Sequence, residues 1–533
     1  MNPRIAIGGA AVALLLSIAG CSSTHTLMVS GTEAEDVSTP LGDQWQKISG
    51  YTTAGAEYRP YRGWVRLASS GDTLEFKPES EPRQSAWVPD SSLPTFQAFQ
   101  VPRDSIASVQ AMRFSASRTA LFSVALVVSV VAAAVAIAVA TKESCPFIYS
   151  WDGTRYVFDG EPYGGATVRG LERTDWSELE HLVASHGKYR LLLTNEVDET
   201  QHTNRLSLLV VDHAPDATVV MSRDGTPHAF RCLEPLLDAR DEGGNDLTAW
   251  LRDRDEVAWY PDLGAYSRRD SIADTRNHIT LSFARPDGIT SVYLICNAAT
   301  GPWGSHMIRS MLGARGDRVG TFYAALNGPG PWLQRLRAWN EREELYELFP
   351  EVEQGDGTWA RQDFIPGGGP FISESRAVPI DLRGARGDTI RIRIHPPIGY
   401  WRINSFHLAW DEAPVFTNEL RPVAARTRGG RDVRALLAQD DDAYLDFPTP
   451  GDRATLEFRA PPARPGTART IFAATRGWYE IHLHRQGPPD SAALARLEVE
   501  PGSAVRMALA EYAEYRRTGV LGGTDVRAEP AAR

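Results

Sequence analysis

Cysteine is scarce: four in 533 residues, none paired at zinc-ligand spacing, so neither a dense disulfide framework nor a zinc knuckle holds this chain together. The twelve histidines contain no H-E-x-x-H. There is no G-x-S-x-G elbow, no P-loop and no kinase signature, which removes the readable nucleophilic and phosphate-cradling chemistries. Positive charge is also short. Fifty-six Lys and Arg against 67 Asp and Glu give a net charge of −11, and phosphate affinity needs clustered cations, so nucleic acid is not an expected partner. What is present is an ordinary core-forming composition, 42% hydrophobic and 23% charged. Forty-five Gly and 35 Pro favour turns and short strands over long helices. The length suits several domains.

Arg4 followed by the apolar run Ile5–Ala19 has the charge and hydrophobicity of a secretory signal, too short for a comfortable membrane span. It ends Ile18-Ala19-Gly20-Cys21, which resembles the lipobox of bacterial lipoproteins. That resemblance implies cleavage between Gly20 and Cys21 and lipidation of Cys21, with several acyl chains anchoring the mature protein stably. Residues 1–20 then read as signal peptide. Residues 21–48, polar and aperiodic, read as a flexible tether.

Short alternating stretches bounded by Gly and Pro (Trp64–Leu67, Thr73–Phe76, Phe99–Pro102) predict a small antiparallel barrel over 49–117, similar to SH3-like or Sm-like barrels. Residues 120–140 carry no charge and extend about 31 Å as a helix, enough to cross a bilayer, so 118–141 is a transmembrane or membrane-associated helix that would meet membrane lipid. A crossing conflicts with the charges. Arg113 and Arg118 precede the segment, while Lys142 and its neighbour Glu143 follow, so positive-inside counting opposes a cytoplasmic C-terminal region. The favoured expectation is an exported C-terminal region with the apolar segment in or along the membrane.

Next comes Cys145-Pro-Phe-Ile-Tyr-Ser-Trp-Asp-Gly-Thr-Arg-Tyr-Val-Phe-Asp159, a hairpin turning at Asp152-Gly153. It resembles the C-P-F-x-Y-x-W-D-G-x-x-Y-x-F-D motif of an uncharacterised family of bacterial exported proteins, which implies no activity. Three units are expected: a β-rich motif domain (142–264), a jelly-roll-like β-sandwich with a helical insertion (265–412), and a β domain with a closing helix (413–520), followed by a disordered tail (521–533). Asp175 with Glu178 suggests a capping box and a short helix to Val183. Tyr189–Leu193 and Leu206–Val211 suggest an antiparallel pair. Ser503 is the expected N-cap of the last helix.

Candidate site residues are few. Cys21 carries the lipid. Asp238, Asp241, Asn245 and Asp246 offer oxygens to calcium, although the spacing is not that of an EF-hand and a solvated turn is the plainer reading. His482 and His484 share a strand face. Cys232 and Cys296 are the disulfide candidates if the region is exported. No catalytic residue and no cofactor is assigned. The fold class is mainly β, and the expected function is a cell-envelope lipoprotein that scaffolds or binds a glycan or protein partner. The alternatives are a surface hydrolase using carboxylates, favoured by an acidic cleft, and an inner-membrane sensor. An exposed aromatic patch drawn from Trp332, Trp339, Trp401 and Trp478 would favour binding.

Overall fold

A computed structural model describes residues 23–28, 45–53, 58–68, 72–78, 99–113, 146–255, 258–267, 274–483 and 487–518. The chain forms two compact units, Met1–Ala138 and Val139–Arg533. The signal peptide, Gly20, Cys21, the apolar segment 120–140, Cys145, His484 and the tail lie outside the described residues. Among the described residues no helix is long and apolar enough to cross a membrane.

In the first unit six antiparallel strands lie in the order Ser23–Met28, Ile106–Arg113, Gln46–Thr53, Tyr58–Leu67, Thr73–Pro78, Phe99–Pro102. Val65 faces Phe76 and Leu67 faces Leu74 across the central hairpin, and Val65, Leu74, Phe76 and Val109 are fully buried. That is the burial the alternation predicts. The strand Ser23–Met28 falls inside the expected tether. Its mixed Ser, Thr and His content is that of a polar outer strand.

The second unit is mainly β, with antiparallel sheets and short helices. Two five-stranded sheets face each other as a sandwich. Leu191, Leu193, Leu456 and Phe458 from one sheet meet Leu206, Leu208, Ile471 and Ala473 from the other. The two leucine-rich strands are therefore not a pair. Lys188–Thr194 bonds Arg453–Arg459 and Phe147–Trp151, whereas Glu199–His213 bonds Ala468–Ile481, and the polar turn at Asn195-Glu196 carries the chain between sheets. The back of the second sheet (Val211, Phe472) packs on Val219, Met221 and Ala229 of a seven-stranded sheet, where Ser291–Thr300 lies between Trp401–Ala409 and Glu374–Asp381. A further five-stranded sheet contains Asp238–Asp241, Ile279–Ala284, Thr389–Ile394, Glu351–Glu353 and Trp359–Arg361 in that order. Ile390, Ile392 and Ile394 are fully buried while Thr389 and Arg391 face solvent, as alternation requires.

Two expectations need correction. Residues 173–178 form a strand, not a helix, and Asp175 is a buried ion-pair partner and not a cap. The tertiary pairing with Phe472–Gly477 overrides the local capping pattern. The expected 413–520 unit is also not separate. Its strands Arg453–Arg459 and Ala468–Ile481 are interior members of the two sandwich sheets begun by 147–213. The motif hairpin forms at Asp152-Gly153, with Gly153 at φ 101° and the Asp152 carboxylate accepting from the Thr154 and Arg155 amides at 2.7 and 2.8 Å.

Helices Pro302–Gly313, Val319–Asn327 and Trp332–Glu343 form the expected insertion, and Ser491–Val499 and Ser503–Thr518 close the chain. The last helix is tied to the first. Trp303 Nε1 donates to Ala508 O at 3.0 Å, and His306 Nε2 lies 2.8 Å from Glu511 Oε2.

Candidate functional site

A cleft of about 510 Å³ opens where the segment Asp274–Arg276 meets the end of helix Trp332–Glu343 and the start of helix Ser503–Thr518. Its walls carry the guanidiniums of Arg276, Arg342 and Arg506 and the carboxylates of Asp274 and Glu343, with Pro397, Pro501 and Val505 adding apolar surface.

The wall is rigidly built. The carboxylate of Glu343, only 3% exposed, accepts from Arg342 Nε on one oxygen and from the Gly502 amide on the other, both at 2.8 Å. Placing an anion against the first amides of a helix suits their orphan N–H groups and the helix dipole. Ser503, the expected cap, is instead the first helical residue, and its hydroxyl is buried without a partner. Arg342 reaches on to Glu498 O and Leu497 O at 2.6 and 2.9 Å, tying two helix ends together. Arg276 donates to His395 O at 2.8 Å and to Glu343 O. Burial lowers the Arg276 pKa, with Glu344 and Glu343 opposing it. Gly502 sits at φ 73°, and a Cβ there would lie 2.3 Å from Thr275 Oγ1.

Glu161, Glu178 and Glu374, whose pKa values are raised, lie outside the cleft lining. Arg376, 5% exposed, pairs with Asp175 Oδ1 at 3.1 Å and with Glu374, and donates to Trp176 O at 2.9 Å. Burial opposes the charge on Asp175, but Arg376 and Arg173 more than reverse it and hold its pKa low. Glu374 is pushed up to about 7 by burial, against the pull of Arg376. Glu161 is raised well above the ordinary range by burial, although its Oε2 accepts from the Phe371 amide at 2.9 Å. Burial also lifts Glu178 to about 7. Glu161 and Glu374 sit against Gly368 and Gly369: a Cβ at Gly369 would lie 2.1 Å from the Glu161 carboxyl carbon. They form a packed ionic network, not an open acidic cleft.

The residues singled out in the sequence are dispersed. Cys232 is exposed and Cys296 buried, both free, so the expected disulfide does not form; Cys296 is locked into the centre of the seven-stranded sheet, facing Arg376 and Phe406. The oxygens proposed for calcium are committed to a turn and its flanking strand. Asp238 pairs with Arg240 at 2.9 Å, Asp241 accepts from the Asn245 amide at 2.8 Å, and Asp246 accepts from the Thr248 amide at 2.8 Å. His482 bonds Asp198 at 2.9 Å and Thr200 at 2.9 Å. The four tryptophans make no common patch: Trp401 and Trp478 are buried, Trp339 is partly buried and bonds Leu497 O, and Trp332 is 44% exposed beside Arg335. The cleft residues went unread because they come from stretches more than 50 positions apart and match no local motif. The charged Glu374-Ser-Arg376 leading into an apolar strand was the one available signal for the buried network.

No family model and no curated protein matches the chain. Two solved structures are weakly similar to it. An allantoicase is 10% identical with a TM-score of 0.17, over 56% of this chain and 98% of that one. A cycloalternan-forming enzyme from Listeria monocytogenes in complex with a pentasaccharide substrate is 11% identical with a TM-score of 0.16, over 64% of this chain and 30% of that one.

Proposed function

We propose that this chain is a membrane-anchored lipoprotein of the bacterial cell envelope that binds a glycan without turning it over. The cleft carries the reading. Three guanidiniums and two carboxylates around apolar Pro and Val surface offer the mixed donors, acceptors and flat contacts that a hydroxyl-rich or acidic sugar needs. Hydrolysis would require a carboxylate free to move a proton, ordinarily one of a pair. Both oxygens of Glu343 are taken by Arg342 and Gly502, and Asp274 is bonded to His278. Glu161 and Glu374, whose pKa values burial raises, are enclosed in the fold. A lipid at Cys21 would provide the anchor, and the apolar segment 120–140 would lie in or along the same membrane.

The test is binding of the full chain to isolated envelope glycans, both sacculi and surface polysaccharide, against Arg506→Glu. Arg506 lines the cleft and donates a hydrogen bond to Pro501 O. Binding that drops at least tenfold in R506E supports the reading. Equal binding by both proteins, or release of shortened sugars, overturns it. Incorporation of labelled palmitate that disappears in Cys21→Ala tests the anchor separately.

A further inference from the structure

Three neighbouring strands end in a row of metal-ligating side chains. Asp238–Asp241 pairs with Ile279–Ala284 so that Asp241 faces Ile279, and Ile279 in turn faces Ile394 of Thr389–Ile394. One position beyond these partners, the chain carries Glu242, His278 and His395 at the same end of the sheet. Asp274, four residues before His278, returns to the row. His278 Nε2 lies 2.6 Å from Asp274 Oδ2 and 3.9 Å from Glu242 Oε2, and the three donor atoms all fall within 4.8 Å of one another. The other Asp274 oxygen accepts from the Arg276 amide at 2.9 Å, which fixes the carboxylate, and the His395 ring packs edge-on against His278 at 4.6 Å.

We propose that Glu242, Asp274 and His278 bind a divalent transition-metal ion of the zinc class at this sheet end. A tetrahedral ion with bonds of about 2.1 Å spaces its donors about 3.4 Å apart. The His278–Glu242 separation is close to that value, and the His278–Asp274 separation opens to it by less than an ångström of side-chain movement. Imidazole nitrogen with carboxylate oxygen suits zinc, cobalt or nickel, whereas calcium prefers an all-oxygen set. The chain contains other histidine–carboxylate pairs, such as His482–Asp198, but among the described residues this is the group in which three ligating side chains converge. Asp274 also lines the cleft, so the ion would adjoin it.

The experiment titrates the untagged full chain with Co²⁺, following the visible absorption of cobalt in a low-coordinate nitrogen–oxygen site, and then displaces it with Zn²⁺. The expected result is one Co²⁺ per chain at micromolar concentration, displaced by equimolar Zn²⁺ and not by excess Ca²⁺. Affinity should fall at least tenfold in His278→Ala and in Glu242→Gln and be unchanged in His482→Ala. Glu242 is exposed, so E242Q tests the site even where H278A disturbs the sheet end. No binding at hundreds of micromolar, or binding that survives both substitutions, overturns the proposal. It stands apart from the glycan reading: R506E tests one and E242Q the other.

Discussion

At the scale of single residues, the side chain that decides most is Arg376. It is the shared cation of Asp175 and Glu374 in a place water does not reach, and neither carboxylate has another full charge as close. Removing one partner of a buried ionic group leaves an uncompensated charge, a loss of about 3–5 kcal/mol. Arg376→Ala should therefore lower the urea midpoint sharply at pH 8, and less at pH 5, where Glu374 can take up a proton. The same reasoning fixes a pH dependence. Glu374 and Glu178 have folded pKa values of about 7 against 4.5 for the free side chain. Between these values the folded protein holds protons that the unfolded chain has released, so their contribution is complete below 4.5 and is lost as pH rises through about 7. Asp175, whose pKa is depressed, runs the other way and matters on acidification. Glu178→Gln should match the parent protein in acid and exceed it in urea midpoint at pH 8. A midpoint lower than the parent's at pH 8 would rule out this account. These roles were hidden in the sequence because Asp175 and Arg376 are 201 positions apart; only folding shows that one neutralises the other.

At the scale of elements, the cleft depends on how one helix begins. Gly502 needs a left-handed φ of 73° and leaves no room for a Cβ beside Thr275, while its amide holds Glu343. Gly502→Ala thus combines the left-handed penalty, about 1–2 kcal/mol, with a collision costing about 1–3 kcal/mol. Thr275→Ala in the same chain should recover the collision part and leave the backbone part. Thermal melts of the two singles and the double measure this coupling, and strict additivity would show that the two side chains do not meet. The helix itself was legible, since the sequence places Ser503 at its start and Gly519 just past its end. The cap was not, because the capping carboxylate comes from Glu343, 159 positions away, and not from local Ser503. The strand Arg173–Glu178 shows the opposite failure: a good local helix signal lost to Phe472–Gly477, which offered six residues of ladder.

At the scale of the whole molecule, strand alternation made the fold class readable, and the turn at Asp152-Gly153 and the isoleucines of Thr389–Ile394 stand where alternation puts them. The partition into three successive C-terminal units was not readable, because composition changes along the chain say nothing about which distant strands pair. Arg453–Arg459 lies between Ala424–Thr427 and Lys188–Thr194, and Ala468–Ile481 lies between Glu199–His213 and Arg173–Glu178. Leu456, Phe458, Ile471 and Ala473 also fill the sandwich core against Leu191, Leu193, Leu206 and Leu208. A fragment of residues 142–412 should consequently expose the inner faces of both sheets along with four unpaired strand edges, and collapse without a cooperative transition. A fragment of residues 139–533 retains every one of these pairings and matches the second compact unit. It should unfold in a single cooperative step in urea. Expressing both fragments and following tryptophan fluorescence decides the matter: cooperative unfolding of 142–412 would mean that the sandwich is complete without its last third, against the interior position of both late strands.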